Sequence, residues 1–472
     1  MTQTADNQDS SALPMWLKVI VFVMPYVGVN LLIWPAVAVL GGIYAKYYGL
    51  SLTSIAAVIL AAKVFDAVTD PLIGYYSDQW RTKTGSRKPL IALGGILIIP
   101  ATYYLFVPPS EVGVLYFAFW YMTFYLASTL FVIPYFTWAH EFTETSKDKV
   151  LVFSVINIAG QVGGALFYLL PFLPFFITTD ISPEVLKITA FVGAAIVIPG
   201  LYLAFKFVPN GAVHETPAIG VENPPSMLQQ ALRAVQELLN NRPFLLYAWI
   251  LIFIGIAFGL CMGLLFIFVD TYLKLGAQFA QVSLWGMVAG AVAIPLWYHI
   301  VVRWGKRLSW LVGMGGLLLV FVCVGLLSPE HSGYLSISIL YVSLHIFSSS
   351  SSVIGGPVLC DIIDYGCYQT GHERGGLYFS IQALMTKIQF AIGGGLGLAI
   401  IGWFGFDMNA VTHSGTSIVG LKLSISWLPA LFVIPAIVCI YRIPLSEHRM
   451  TIIRRRLARR VDGSITLNQP QF

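Results

Sequence analysis

Charge is what this sequence has least of: Asp, Glu, Lys and Arg make up 10% of its 472 residues, against 57% hydrophobic residues. A water-soluble fold of this length needs a far larger charged shell, so a soluble globular protein is excluded. Cysteine is scarce as well. The five thiols, Cys261, Cys323, Cys360, Cys367 and Cys439, are an odd number without a CxxC pair, which excludes a disulfide framework and a zinc knuckle. There is no HExxH, no phosphate-cradling GxxxxGK(S/T) loop and no Ser-His-Asp set at midspan, so an enzymatic reading has nothing to stand on and no cofactor is called for. The first dozen residues contain no Lys or Arg and lead into a hydrophobic run too long for a signal h-region, so no cleaved targeting peptide is expected.

What is present in quantity is apolar runs of helix length. Reading about 20 residues per crossing, spans fall at roughly 17–45, 53–77, 89–107, 114–140, 150–178 and 184–206, and again at roughly 243–269, 277–301, 308–328, 334–360, 377–405 and 421–441. The fold expected is an all-α membrane protein of twelve transmembrane helices in two six-helix bundles. Of the 27 Lys and Arg residues, 21 fall in the tails and on one set of loops and only Lys46, Lys187, Lys274 and Lys422 on the other. The positive-inside rule then places both termini in the cytoplasm, in a multi-pass protein of the cell inner membrane. The net charge of +5 is mostly this topology signal. The tail sequence RRRLARR, Arg454 to Arg460, belongs near anionic headgroups rather than on nucleic acid.

The domains read as 1–206 (first bundle), 207–242 (a Pro- and Gly-bearing linker ending in an amphipathic LQQALRAVQELL helix), 243–441 (second bundle) and 442–472 (basic tail). Each half has a short basic loop after its second span, SDQWRTKTGSRKP and VVRWGKR, as expected of parallel repeats about an axis along the membrane normal.

Two cations and two acids break the apolar rule. Asp66 and Asp70 are one helical turn apart in SIAAVILAAKVFDAVTDPLIGYY, and Lys63 lies three residues before Asp66 on roughly the same face. A carboxylate at bilayer depth costs at least about 2.5 to 3.5 kcal/mol. Two so close require a shared proton, a bound metal ion or compensation by Lys63. A structural Asp-Lys lock is the plain alternative. An intramembrane aspartyl protease is not, because its two acids meet from different helices. Lys387 lies about ten residues into the eleventh span, near the midplane at 1.5 Å rise per residue, where snorkelling reaches poorly.

DAVTDPLIGYYSDQWRTKTGSRKP, FVIPYFTW in the fourth span and CDIIDYGCYQTGHERGGLYFSIQALMTK together resemble the glycoside-pentoside-hexuronide cation symporters, the melibiose permease branch of the major facilitator superfamily. The resemblance implies an alternating-access carrier coupling solute uptake to Na+, Li+ or H+. It implies a cation site of Asp66, Thr69, Asp70 and Thr129 with Lys387 as a coupling residue, and Lys63, by its place beside Asp66, is read as a second. The sequence departs from the family at the sugar clamp, where two carboxylates and an arginine become Asn30, Val132 and Phe153. By depth and family position, Tyr26, Asn30, Trp34, Ser128, Phe136, Asn157, Gln161, Ser352 and Gln382 remain to face the solute.

Other features have plainer readings. Ser348 to Ser352 lines a pathway or bonds back to its own helix. His345 is a hydrogen-bonded helix-interface residue, and Gly393 with Gly397 permits close helix contact. Asp78, Arg81, Arg87, Lys88, Asp361, Asp364 and Arg374 read as an inner ion-pair gate. The function expected is symport of a sugar-like solute (glycoside, oligosaccharide or hexuronide) with a monovalent cation by a monomer in the bilayer. Import of an amphipathic or siderophore-like solute is the alternative, and a non-transporting receptor or assembly factor the alternative of another class.

Overall fold

Among the residues described by the structure, a computed structural model covering 14–174, 182–211, 236–275, 278–372, 374–406 and 414–461, every regular element is a helix. In the first half these are α1 (Met15–Ala38), α2 (Leu40–Tyr48), α3 (Leu52–Thr84), α4 (Lys88–Phe106), α5 (Val114–Glu141), α6 (Ser146–Leu169) and α7 (Pro183–Phe207). The second half contributes α8 (Arg242–Ile267), α9 (Phe279–Trp304), α10 (Lys306–Leu326), α11 (Tyr334–Thr370), α12 (Gly375–Trp403), α13 (Gly415–Lys422), α14 (Leu428–Arg442) and α15 (Glu447–Val461). A π-helical turn, Leu423–Trp427, joins α13 to α14 into one span.

Among the described residues, eleven helical stretches are long and apolar enough to cross a membrane. The long helix not among them is α3, whose apolar run is interrupted by Lys63, Asp66 and Asp70. The Ser51 hydroxyl caps its start, accepting from the Ser54 N–H at 3.1 Å. Gly85, at φ +73°, ends it and donates its N–H to the Arg81 carbonyl. At 33 residues α3 is about 50 Å long, which exceeds the roughly 30 Å hydrocarbon layer and carries Asp78 and Arg81 beyond it.

The chain divides into two compact units, residues 1–217 with 372–381, and residues 218–371 with 382–472. In the first, α1 packs on α6 and α7, and α5 on α3 and α4. A Cβ at Gly94 would lie 2.5 Å from the Phe131 nitrogen, so the α4 and α5 backbones touch only because that side chain is missing. In the second, α9 and α10 pack on α11, and α8 on α14. Gly393 and Gly397 face α8, the former so closely that a Cβ would meet the Ile256 carbonyl at 2.5 Å.

Three expectations change in detail. The first span is broken at Val39, after Pro35, into α1 and α2. The fifth ends its α-helix at Leu169 and finishes as a short 3-10 turn holding Pro171. Most of the linker helix lies outside the described residues, with 236–240 helical. The start of α12, which the sequence assigns to the second bundle, groups with the first unit.

Candidate functional site

In the first unit α3 and α5 lie side by side, and the four-residue spacing of Tyr121, Tyr125 and Thr129 sets these three on one stripe of α5. Asp66 and Asp70 are buried, at 0% and 1% exposure. The Thr129 hydroxyl donates to Asp70 Oδ1 at 3.0 Å. Two turns earlier on α3 and one turn earlier on α5, Lys63 Nζ donates to the Tyr125 hydroxyl at 3.2 Å and sits 4.4 Å from the centre of its ring. The Tyr121 and Tyr125 hydroxyls are 3.4 Å apart. Thr69 donates to the Phe65 carbonyl at 3.0 Å, so toward the carboxylates it offers only lone pairs.

The donors in this cluster are all oxygens, with two carboxylates and two hydroxyls among them. That set suits a hard monovalent cation as cargo and suits a proton equally well. The Lys63 ammonium supplies positive charge beside it. Tyr121 and Tyr125 escaped sequence reasoning, although their spacing from Thr129 is the signal that finds them.

Along α1, Asn30 donates to the Tyr26 carbonyl at 2.9 Å, and on α6 Asn157 donates to the Phe153 carbonyl at 2.7 Å. Each amide NH2 is thereby tied to its own helix. Asn30 and Trp34 lie against Gly163 and Gly164 of α6, where a Cβ would come 2.8 Å from Asn30 Cβ and 2.5 Å from the Trp34 indole nitrogen. Ser128 bonds back to the Phe124 carbonyl, and Gln161 is exposed. Phe153, at the place of the family's arginine, is 2% exposed and joins an aromatic cluster. Its ring stacks at 6.0 Å on Phe379 and lies 5.9 Å from Phe136, which meets Tyr26 edge-on at 5.7 Å.

In the second unit the Gln382 amide donates to the Tyr247 hydroxyl at 2.8 Å, and that hydroxyl donates to the Gly355 carbonyl at 3.2 Å, so Tyr247 fixes which way the glutamine points. Lys387 and Ser352 belong to this unit as well. Of the serine run, Ser348, Ser349 and Ser350 bond to carbonyls three residues back, and Trp310 donates to Ser351. His345 bonds to the Tyr341 carbonyl.

Of the seven charged residues read as a gate, Asp78, Arg81, Arg87, Asp361 and Asp364 fall into two ion clusters, with partners the sequence did not pair. In the first unit Arg87, 2% exposed, donates to Ser77 at 2.6 Å, Asp78 at 2.7 Å and Glu141 at 2.8 Å. Arg81 shares Glu141 at 3.1 Å. Asp78 also accepts from the Gly376 and Leu377 N–H groups at 2.7 and 3.0 Å, capping the start of α12 where the helix dipole favours an anion. Lys88 serves the fold instead, donating to the Phe205 and Val208 carbonyls at the end of α7. In the second unit Asp361 is bonded by Lys306 and by Arg454 of α15, and Arg454 reaches Asp364 at 3.0 Å. Burial works to lower the pKa of Arg454, but the charges of Asp361 and Asp364 together raise it, so it stays protonated. Arg374, expected to complete the set, belongs to the first unit.

Residues 21–447 match the family model described as MFS/sugar transport protein. The chain is 24% identical over 441 residues to the glucuronide carrier protein homolog of Escherichia coli (strain K12), covering 86% of this chain and 87% of that one. It is 22% identical over 428 residues to the sodium-dependent lysophosphatidylcholine symporter 1 of Gallus gallus, covering 83% and 79%. Its fold is similar to that of an outward-conformation major facilitator transporter, FucP, with a TM-score of 0.62 at 14% identity over 93% of this chain and all of the other.

Proposed function

This chain belongs to the MFS/sugar transport protein family, and on that premise we propose that it carries a sugar-like solute across the membrane together with a monovalent cation, by alternating access. It is a membrane transporter and not an enzyme. The observation that carries the coupling is the pair of buried carboxylates Asp66 and Asp70, one of them bonded by Thr129, in a helix that otherwise reads as a membrane span. Two buried anions favour a bound cation, and a carrier that moves them only when neutralised couples ion to solute. Lys63, held on Tyr125, and Lys387 are the coupling cations in this reading; of the charged residues read as a gate, Asp361, Asp364 and Arg374 act in gating.

A second reading of the solute is favoured by the aromatic cluster. Buried Phe153 and Phe379 back the half-buried rings of Phe136 and Tyr26 where charged hydrogen bonds hold a simple sugar in the melibiose permeases, and an apolar wall there suits a solute with more apolar surface, such as an aryl glycoside or a lysolipid. Purified protein in proteoliposomes, screened with aryl glucuronides, galactosides and lysophosphatidylcholine under imposed Na+ or H+ gradients, tests both readings. Accumulation driven by one gradient is expected. Asp66→Asn and Asp70→Asn are each expected to abolish accumulation while leaving solute exchange measurable. Full uphill transport by both variants would remove the cation site, and tight binding of plain galactosides would remove the aromatic reading.

A further inference from the structure

The C-terminal helix α15 is two-faced. Met450, Ile453 and Leu457, each at most 4% exposed, seat it on the end of α11 over Cys367, with Tyr365, Tyr368 and Leu445 around them. Arg454, on that inner face, bonds Asp361 and Asp364. At the first turn Glu447 pairs with Lys306 at 3.2 Å. The other face carries Arg449, Arg455 and Arg456, all exposed. Two of these are laid flat by aromatic rings: Arg449 lies 5.7 Å from the Tyr365 ring, and Arg456 donates to the Tyr368 hydroxyl at 2.8 Å.

The same end of the second unit exposes further cations beside large apolar side chains. Arg303 and Arg307 are exposed, and Arg307 stacks on Tyr441 at 4.6 Å. Trp304 is 52% exposed, Tyr441 65% and Ile452 40%. Arginines interleaved with Trp and Tyr at the end of membrane spans have the composition of a headgroup-level surface, where the rings sit at the interface and the cations meet phosphate.

We propose that the outer face of α15 binds the anionic phospholipid headgroups of the cytoplasmic leaflet, and that this binding holds the helix down so that Arg454 stays on Asp361 and Asp364. The charge of the membrane then sets how firmly the second unit's ion cluster is closed. Lipid attraction and the Arg454 contacts act on the two faces of one rigid helix, so loosening either weakens the seat of the other. The lipid contribution is screened by salt, whereas the contacts on the buried Asp361 are screened much less.

Cys367 lies under the seated helix and reports its release. The full chain with Cys261, Cys323, Cys360 and Cys439 replaced by alanine is reconstituted in phosphatidylcholine vesicles with or without phosphatidylglycerol, and maleimide labelling of Cys367 is timed. Labelling is expected to be about tenfold slower with phosphatidylglycerol, since each cation near a charged surface adds to the attraction. Arg449→Gln, Arg455→Gln and Arg456→Gln combined should remove that lipid dependence. Arg454→Gln should speed labelling in both lipids, and a chain stopped after Ser446 should label fastest. Labelling of the full chain that ignores lipid charge, while the shortened chain labels fast, would overturn the lipid role; slow labelling of the shortened chain would overturn the seat itself. Neither readout depends on knowing the transported solute.

Discussion

The two units end in ion clusters of similar chemistry and different construction. In the first, Arg87 is sealed between Asp78 and Glu141 by α3, α4 and α5 alone, and Asp78 spends its remaining lone pairs on the first N–H groups of α12. Gly74 and Gly376 approach so closely there that a Cβ on either would come 2.5 Å from a backbone oxygen of the other. In the second, Asp361 and Asp364 receive Lys306 from the head of α10 and Arg454 from α15, a helix that crosses nothing and is held by one small apolar seat. A charge locked by the core of a bundle is a fixed part of the fold. A charge delivered by an appended helix can be withdrawn without unfolding the bundle, which makes the second cluster the adjustable one.

The largest test of this contrast is Arg87→Gln. It leaves two carboxylates buried without their shared cation, and removing one partner of a buried pair costs about 3 to 5 kcal/mol. The thermal midpoint of the purified protein should fall by many degrees, and Arg87→Gln with Asp78→Asn, which leaves Arg81 on Glu141, should recover part of the loss. An unchanged midpoint would mean that the first cluster is no more fixed than the second.

Lys306→Met should have a middle effect. Lys306 is buried on Asp361, but Arg454 remains on the same carboxylate, so the loss should be that of one charged hydrogen bond, about 1.5 to 3 kcal/mol. A loss as large as that of Arg87→Gln would show that Arg454 does not share the load.

The contrast was only half legible in the sequence. Helix count, span positions and the basic loops follow from hydropathy and the positive-inside rule, because both are local properties of the chain. Asp66 and Asp70 were found because a carboxylate in an apolar run is conspicuous, Thr129 only through the resemblance to the cation symporters, and the structure brings Asp70 and Thr129 together. Pairings at the helix ends were not legible. Lys88 had the same claim on a gate as Arg87 until packing placed it on the carbonyls of α7. Glu141, at the end of the fourth span, drew no reading from the sequence, and burial is what makes it the partner of two arginines. In RRRLARR every arginine reads alike. Only the phase of α15 on its seat turns Arg454 inward and Arg455 and Arg456 out, and a phase depends on what the helix packs against.

The smallest effect on stability, and the sharpest on the comparison, is expected from Arg454→Gln. Its side chain keeps 19% exposure, so water and ions screen it more than Arg87, and Lys306 stays behind to neutralise Asp361. The loss should be about 1 kcal/mol, within the range of exposed ion pairs. The α11 end should nevertheless loosen, because Asp364 loses the Arg454 bond and the inner face of α15 loses its polar anchor. Hydrogen exchange would separate the two consequences: faster exchange confined to the last turns of α11 and to α15, with the core of the second unit and the whole of the first unchanged. Exchange that accelerates throughout the second unit would mean that the tail is as much a part of that bundle as Arg87 is of the other, and the contrast between a fixed and an adjustable cluster would fail.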